Sequence, residues 1–288
     1  MQSTPELSKW QALKLTDIEG IDCIKLDVAD WDSSQQFLDD LGLTLKSSDG
    51  TIAVWQTLNG SSIIIERANT DAVREVHWGV TDVIFPAEVI DPAGIKVVFQ
   101  HSQKRKVDLV ATATNGWNSV HRVDQAVPTD TVDAIEVCHI VLATKDLETT
   151  EKFYTDLGFV VSDRLIGRGT FLRTSSNAGH HDLFLIQSTE DKLHHIAITV
   201  KDIYQVFAGG IRMEKQGWGT EIGPGRHPIS SSFFWYFKSP LGGMIEYTCN
   251  EDFLTRSWVP RDLEYSVGMT TEWAVEGGID PTTKRQRK

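Results

Sequence analysis

The two halves of this 288-residue sequence repeat the same succession of strand and helix signals. Residues 21–30 alternate apolar and polar side chains as a strand does, and the amphipathic residues 33–41 predict a helix that ends at Gly42. Residues 138–159 carry a similar strand, an acidic helix start and the same Asp-Leu-Gly ending at Gly158. Because a repeat determines the architecture of the whole chain, we interpret the halves as copies of one module.

The repeat extends through the rest of each half. Residues 75–82 resemble residues 193–202, and residues 91–99 resemble residues 239–247, including a shared Pro-x-Gly turn. Each half therefore predicts the order strand, helix, strands, strand, helix, strand. This order amounts to two βαβββ units per half and an α+β fold of tandem βαβββ modules.

A segment rich in Asn, Gly, Thr and Pro, at residues 115–131, is the expected boundary between the halves. We place the first domain at residues 1–120 and the second at residues 133–252. Residues 253–288 form a tail whose basic end, from Lys284, is expected to be disordered.

Composition excludes several classes of function. The net charge is -12 and the pI is about 5.2, which argues against a nucleic-acid partner. No apolar run is long enough for a membrane span, and the N-terminus has no apolar signal-peptide core. Three widely spaced cysteines predict reduced thiols in a cytoplasmic protein.

Metal-ligand residues concentrate in the second half, which holds six of the nine histidines. Aligning the repeats sets Cys23 opposite His139 and Val98 opposite Glu246, and we match His77 with the His195 position. A metal needs several ligand atoms that converge at about 2.0–2.2 Å. We therefore expect the second half to be the active one and the first half to be an inert copy.

Three residues of the second half are candidate ligands, although a lone histidine on an apolar strand is usually structural. His139 and His195 open apolar strands, and Glu246 lies inside an apolar run where an unpaired charge would be costly. Because side chains alternate along a strand, we expect His194 to face away from the centre that His195 faces. Two histidines and one carboxylate suit non-haem Fe(II) chemistry.

The second half resembles the type I, two-domain extradiol catechol dioxygenases of the vicinal oxygen chelate superfamily. The motifs that carry the resemblance run in family order over about residues 135–250: C-H-I-V-L-A-T-K-D-L, F-Y-T-D-L-G-F, G-H-H-D-L-F-L, L-H-H-I-A-I-T-V-K-D, G-P-G-R-H and F-W-Y-F-K-S-P-L-G-G-M-I-E-Y. The first half fits the family's metal-free N-terminal domain only weakly. The resemblance implies two domains that each curve a mixed sheet around a cavity.

The resemblance also implies an activity and a metal site. The activity is the cleavage of a catechol-type diol by O2 at a non-haem Fe(II) centre, giving a 2-hydroxymuconic semialdehyde-type product. Position by position, it implies His139, His195 and Glu246 as ligands of Fe(II) or, less commonly, Mn(II). The partners implied are the catechol, O2 and further copies of the chain in a homo-oligomer, with no nucleic acid and no membrane.

Three further residues match catalytic positions of the family. His181 matches an acid/base histidine, His227 a histidine that hydrogen-bonds the substrate, and Tyr236 an active-site tyrosine. The alternatives are a polar strand end for His181, a turn-holding role for His227 and core packing for Tyr236. His180 and His194 are expected to be structural or to support the ligands.

The sequence predicts less about the role of the tail and the identity of the substrate. The tail carries Trp258, Tyr265 and Trp273, and it either covers the active domain as a lid or pocket wall or packs on the surface or against another subunit. Some of the aromatic residues 233–235 could line the ring pocket. Without an evident Arg or Lys clamp, the sequence favours an uncharged aryl or alkyl catechol.

Two other functions fit the same fold. A glyoxalase-like isomerase or lyase commonly uses four protein ligands with two carboxylates, whereas only Glu246 is expected at a ligand position here. A sequestering protein of the bleomycin-resistance type needs no metal triad. The candidate triad therefore favours the dioxygenase.

Overall fold

The computed structural model describes residues 18–81, 87–115, 120, 130–174 and 178–278. Most of the expected boundary segment and the basic end of the tail lie outside the described residues. Two mixed sheets and four helices are present in the described part of the chain, which confirms the α+β prediction. None of these helices combines the length and the apolar composition that a bilayer crossing requires.

The first sheet has seven strands in the order β2-β3-β4-β1-β5-β7-β6. At its centre β1 runs antiparallel to β5, while β4 is parallel to β1 and β7 is parallel to β5. The strands are, in chain order, β1 (Ile18–Val28), β2 (Thr44–Ser48), β3 (Ile52–Gln56), β4 (Ser62–Arg67), β5 (Ala72–Val80), β6 (Ala87–Ile90) and β7 (Lys96–His101).

The second sheet has ten strands and repeats this central pairing. The strands of the second half are β8 (Glu136–Thr144), β9 (Val160–Leu165), β10 (Gly169–Arg173), β11 (Ala178–Gly179), β12 (Leu183–Gln187), β13 (Lys192–Thr199), β14 (Thr220–Arg226), β15 (Phe233–Lys238), β16 (Met244–Cys249), β17 (Phe253–Leu254), β18 (Arg261–Leu263) and β19 (Trp273–Glu276). The sheet order is β18-β9-β10-β12-β8-β13-β16-β15-β14-β19, and β11 pairs separately with β17. Strand β8 runs antiparallel to β13, with β12 parallel to β8 and β16 parallel to β13, so the two halves share one plan.

The helices are α1 (Trp31–Asp40), α2 (Leu147–Asp156), α3 (Ile203–Lys215) and the short α4 (Val267–Thr270). An aspartate caps the N-terminus of each of the first three, because its carboxylate accepts a backbone N–H three residues later. These caps are Asp30, Asp146 and Asp202. The repeated strand–Asp–helix signal in the sequence therefore has a direct structural cause.

The helix predicted in the second unit of the first half falls between β5 and β7, where residues 82–86 lie outside the described residues and Ala87–Ile90 form strand β6. Strand β6 starts at Ala87, shortly after β5 ends at Val80. The corresponding strands of the second half, β13 and β14, are separated by the whole of α3.

Helix α3 determines which side chains of the second sheet face the candidate site. A Cβ atom on Gly210 would lie 2.1 Å from the Trp235 ring, and one on Gly209 would lie 2.6 Å from the Tyr247 ring, so only glycine permits this approach. Because side chains alternate along strands, Tyr236 and Glu246 then point to the opposite side of the sheet from Trp235 and Tyr247.

One apolar core runs through both halves. Buried side chains from the first sheet, such as Trp78, belong to the same cluster as buried side chains from the second sheet, such as Trp235. Polar contacts also cross between the halves: the Tyr247 hydroxyl donates to the Leu41 carbonyl at 2.7 Å in a buried contact, and the Trp218 indole N–H donates to Asp40 at 2.9 Å in a partly buried one. The first half thus supports the strands that carry the candidate site.

Candidate active site

Three side chains predicted as metal ligands meet at one point in the second half. The His139 Nε2, the His195 Nε2 and the Glu246 Oε2 form a triangle with every side 3.2 Å long. All three residues are buried. Residues from three different strands, far apart in the sequence, therefore place their ligand atoms together.

This triangle fits a metal ion bound on one face. Ligand atoms about 2.1 Å from a metal and at right angles to one another lie about 3.0 Å apart, close to the observed separation. The second carboxylate oxygen, Glu246 Oε1, is buried and has no hydrogen-bond partner among the described residues. Two imidazoles and a carboxylate with a spare oxygen are donors that suit Fe(II) or Mn(II).

The sheet register explains why the three side chains converge. On strand β13, Ala197 lies between His139 of β8 and Glu246 of β16 as its direct partners on either side. His195 is two residues from Ala197, so its side chain emerges on the same face of the sheet. A shift of one residue in either pairing would turn one ligand away.

The same register corrects the match made for the first half. There His77 lies between Cys23 and Val98, so His77 corresponds to Ala197 and not to His195. The position of His195 is taken by Glu75, which pairs with Lys25 at 2.9 Å and Lys96 at 3.3 Å. In the first half, lysine ammonium groups thus balance the carboxylate. Both metal-compatible clusters in the described part of the chain lie in the second half.

The prediction that His194 and His195 face opposite ways is wrong. The β8–β13 ladder shifts register between Leu193 and His195, and this bulge interrupts the alternation of side chains. Both rings border the same cavity, and their Nδ1 atoms are 2.8 Å apart. His194 therefore contacts the side of the His195 ring that faces away from the candidate metal position.

The charges within the triangle favour cation binding. Burial alone would raise the pKa of Glu246, but hydrogen bonds with His139 and His195 outweigh burial and hold the pKa well below its usual range. Burial lowers the pKa of His195 to about 3, which leaves this imidazole neutral. The pKa of His139 is raised, against the effect of burial, by the neighbouring Cys138 and Glu246. A divalent cation would take over the stabilisation that the His139 proton gives to the buried carboxylate.

A second cluster, His139, His181 and Glu251, also brings three ligand atoms close together. Burial raises the pKa of Glu251 to about 8, so this carboxyl is largely protonated at neutral pH and is a poor metal ligand. Glu246 has the opposite shift. The triangle of His139, His195 and Glu246 is therefore the better candidate metal site.

His181 is held by groups on one side of its ring. Its Nδ1 lies 3.0 Å from Glu251 Oε1 and 3.2 Å from the Nδ1 of His180, and the Nε2 of His180 lies 3.1 Å from Asp163. Despite its burial, Asp163 has a lowered pKa because His180 and Arg261 hydrogen-bond to it. The ionised Asp163 must accept, so His180 donates through Nε2–H and accepts at Nδ1.

This network assigns the tautomer of His181. Its Nδ1–H donates towards His180 and Glu251, which leaves Nε2 as an unprotonated acceptor. Burial and the neighbouring histidines lower the pKa of His181 well below its usual value, so the ring is neutral at neutral pH. The ring lies 4.2 Å from the His139 ring, centroid to centroid. A neutral base therefore lies next to the candidate metal position.

Tyr236 and His227 form a hydrogen-bonded pair in the same cavity. The Nδ1–H of His227 donates to the Thr270 carbonyl, so its Nε2 accepts from the Tyr236 hydroxyl at 3.1 Å. Burial, with the nearby Glu246, raises the pKa of Tyr236 well above its usual value and keeps the phenol protonated. Phe234 stacks on the His227 ring at 4.0 Å and fixes its plane.

The cavity that contains these residues has a volume of about 320 Å³. Residues 233–235, considered from the sequence as walls of a ring pocket, are not among its lining residues. Phe171 and Phe184 provide the aromatic wall instead, stacked with centroids 3.8 Å apart. Tyr265 and Thr270 of the tail complete the lining.

Comparison with known proteins agrees with this geometry. The model of the Glyoxalase/Bleomycin resistance protein/Dioxygenase superfamily matches residues 137–247. These residues are similar to the domains of that superfamily. The matched segment contains His139, His195 and Glu246.

Two curated relatives and two solved structures are similar to the chain. It is 33% identical over 128 residues to metapyrocatechase 2 of Cupriavidus necator, and 31% identical over 157 residues to an iron-dependent extradiol dioxygenase of Rhodococcus jostii (strain RHA1). These alignments cover 43% and 46% of the chain but only 40% and 51% of the relatives, so the chain matches about half the length of either.

The solved structures extend the likeness to the whole fold. An Mn(II)-bound glyoxalase from Novosphingobium aromaticivorans aligns with a TM-score of 0.75 at 20% identity, covering 95% of this chain and 96% of that one. A homoprotocatechuate 2,3-dioxygenase from Arthrobacter globiformis aligns with a TM-score of 0.72 at 17% identity, covering 91% and 89%. At such identities the likeness shows the fold alone.

Three functional candidates of the second half were not recognised in the sequence. Glu251 and Asp163 hold the His181 network, and Arg168 lines the cavity. Glu251 follows Glu246 in the same strand region, so a second carboxylate near the first was a visible signal. Asp163 is paired with Arg261 of the tail. This contact forms because β18 pairs in parallel with β9, and no local sequence pattern indicates that pairing.

Proposed function

We propose that this protein is a ring-cleaving dioxygenase that opens catechol-type diols in the extradiol position with O2. The observation that carries the proposal is the 3.2 Å triangle of His139, His195 and Glu246 next to the neutral base His181. The names of the two curated relatives, a metapyrocatechase and an iron-dependent extradiol dioxygenase, support the same reaction.

The proposed ligands His139, His195 and Glu246 would hold Fe(II), with Mn(II) as the alternative. When bound, this ion supplies the redox chemistry and the coordination positions that bring a diol and O2 together. Three protein ligands on one face leave the opposite face open to the substrate. The orphaned Oε1 of Glu246 is available to a bound ligand or to a second bond to the metal.

His181 is the proposed acid/base. Its unprotonated Nε2 can accept a proton from a catechol hydroxyl and return it at a later stage of the reaction. The hydrogen bonds from Nδ1 towards Glu251 and His180 keep the ring in this tautomer and orientation. Because His180 and Asp163 are fully buried, water does not compete for the hydrogen bonds that hold His181.

Tyr236 and His227 are the proposed residues that orient the diol. In the free protein the Tyr236 hydroxyl donates to the His227 Nε2. A bound diol can replace this hydrogen bond by accepting from the Tyr236 hydroxyl with one oxygen and donating its neighbouring hydroxyl to the Nε2. The ring wall of Phe171 and Phe184 provides a flat apolar surface for an aromatic substrate. A diol on a flat ring is the substrate class that uses both features.

A glyoxalase-like metalloenzyme is the main alternative, and one of the solved structures with this fold is an Mn(II)-bound glyoxalase. Such a site would require a second ionised carboxylate ligand. The nearest extra carboxyl, Glu251, has a pKa raised to about 8 by burial and interacts with His181. A sequestering protein would not require the triangle at all.

The domain assignments belong to the same proposal. Residues 1–120 would form a metal-free domain, residues 133–252 the catalytic domain, and the tail from residue 253 a wall of the active site. The lining residues Tyr265 and Thr270 support the role given to the tail. Three free cysteines support a reducing, cytoplasmic location, and the resemblance supports a homo-oligomer.

A substrate panel tests the proposal against its main alternative. Anaerobically purified protein is loaded with Fe(II) or Mn(II) and exposed to O2 with simple and substituted catechols, and separately to a glutathione hemithioacetal. We expect a yellow ring-fission product from catechols and no turnover of the hemithioacetal. Turnover of the hemithioacetal alone would contradict the proposal and support the glyoxalase-like function.

A further inference from the structure

The cavity has a buried end and an exposed mouth of different chemistry. At the buried end lie His139 and Glu246, which are 4% and 1% exposed. At the mouth lie Arg168, in the turn between β9 and β10, and Tyr265 from the tail, both exposed. The rest of the lining is largely apolar, with Leu165, Phe171, Phe184, Ile186 and Ile229, and also includes the polar residues Gln187, His194, Ser230 and Ser232.

Unlike Arg164 and Arg261, Arg168 has no carboxylate partner in the described part of the chain. Arg164 pairs with Glu151 at 2.6 Å, and Arg261 pairs with Asp163. The guanidinium of Arg168 instead stacks on the Tyr265 ring, with its Cζ 4.7 Å from the ring centroid. Stacking uses the flat face of the guanidinium and leaves its N–H donors free along the edge.

We propose that Arg168 binds a carboxylate on the substrate, so that the protein acts on catechols whose ring bears an apolar chain ending in a carboxylate. This inference rests on the proposed function and specifies its substrate class. The catechol would occupy the buried end, the chain would contact the apolar walls, and the carboxylate would accept paired hydrogen bonds from Arg168 at the mouth.

The net negative charge of the protein makes a local positive charge, such as that of Arg168, important for binding an anionic group. With a net charge of -12, the protein repels anionic substrates in general. A guanidinium at the mouth of this largely apolar cavity offsets the repulsion where the substrate enters. Tyr265 holds the guanidinium in place, which reduces the conformational entropy lost on binding.

This substrate class differs from the uncharged catechol that the sequence favours. A single arginine in a Gly-Arg-Gly turn is not a cluster, and the sequence does not show that the turn borders the cavity. Only the folded structure, in which the turn between β9 and β10 lies next to the tail, shows that Arg168 borders the cavity.

The test compares two catechols that differ only in the end of the chain, a carboxylate or the carboxamide of the same shape. We expect Arg168→Met to lower kcat/KM for the carboxylate by about 10-fold and to leave the carboxamide almost unchanged, because a hydrogen bond to a charged group is lost. Arg168→Lys should retain part of the preference. Arg74→Met, on an exposed arginine of the first half, is the matched control.

Anaerobic titration of the Fe(II)-loaded protein measures the affinity for both compounds separately from turnover. Affinity for the carboxylate that depends on Arg168, without ring cleavage, would support this inference and contradict the proposed function. Ring cleavage with no preference between the two compounds would overturn this inference alone. An equal loss for both compounds in Arg168→Met would also overturn it, since Arg168 would then serve only to hold Tyr265.

Discussion

Replacing Glu246 with Gln should lower the affinity for Fe(II) by about 100-fold or more and abolish ring cleavage. Glutamine keeps the shape of the side chain but removes the negative charge that the candidate triangle contributes. Loss of a residue that merely supports a ligand already costs about 10- to 100-fold in metal affinity, so loss of a ligand should cost at least as much. Iron content after anaerobic loading and desalting measures the effect.

Glu75→Gln is the matched control for this variant. Glu75 occupies the position in the first half that corresponds to His195, but it pairs with Lys25 and Lys96. We expect its iron content to equal that of the unmodified protein. Normal iron content in Glu246→Gln, with the fold retained by circular dichroism, would show that the ligand assignment is wrong.

Replacing His181 with Asn should lower kcat by about 100- to 10,000-fold while leaving the iron content unchanged. Asparagine can still donate from roughly the position of Nδ1 to Glu251, but it has no acceptor in place of Nε2. General acid–base catalysis typically contributes a rate factor of this size. Single-turnover kinetics with the catechol bound before O2 is added would measure the effect on chemistry and not on substrate binding.

His101→Asn controls for the loss of a histidine in general, because His101 is an exposed residue of the first half. We expect its kcat to be that of the unmodified protein. An unchanged kcat in His181→Asn would exclude His181 as the acid/base, and a loss of iron would instead assign it to the metal site together with Glu251.

The sequence was sufficient to predict the fold because both halves carry the same local signals. The aspartate caps and the Asp-Leu-Gly endings mark corresponding helices, and the strand pairing in the structure follows the same plan. The candidate triangle was also predictable, because a glutamate at 246 in an apolar strand has valine at 98 as its counterpart. Fold requirements alone therefore do not explain that carboxylate.

Register and bulges limited the prediction of the site in detail. Whether Glu75 or His77 corresponds to His195 depends on which residues of β1 and β5 are paired, and the local pattern fits both choices. The orientation of His194 depends on a bulge that simple alternation cannot reveal. Glu75 and His77 lie two residues apart on the same face of the sheet, whereas the one-residue bulge before His195 changes the face to which a side chain points.

Contacts between distant segments were the other limit. Arg261 contacts Asp163, and Tyr265 contacts Arg168, because the tail strand β18 pairs with β9. The tail has no repeat counterpart in the first half from which its path could be inferred. Its contribution to the His181 network and to the cavity therefore becomes apparent only in the folded chain.

The stoichiometry of oxygen consumption tests the central claim most directly. With Fe(II)-loaded protein and a limiting amount of a catechol that it turns over, an oxygen electrode and the absorbance of the product are recorded together. The proposed function predicts one O2 consumed for each ring-opened product formed, with no hydrogen peroxide released. Oxygen uptake that yields quinone and peroxide without ring opening, or turnover without oxygen uptake, would contradict it.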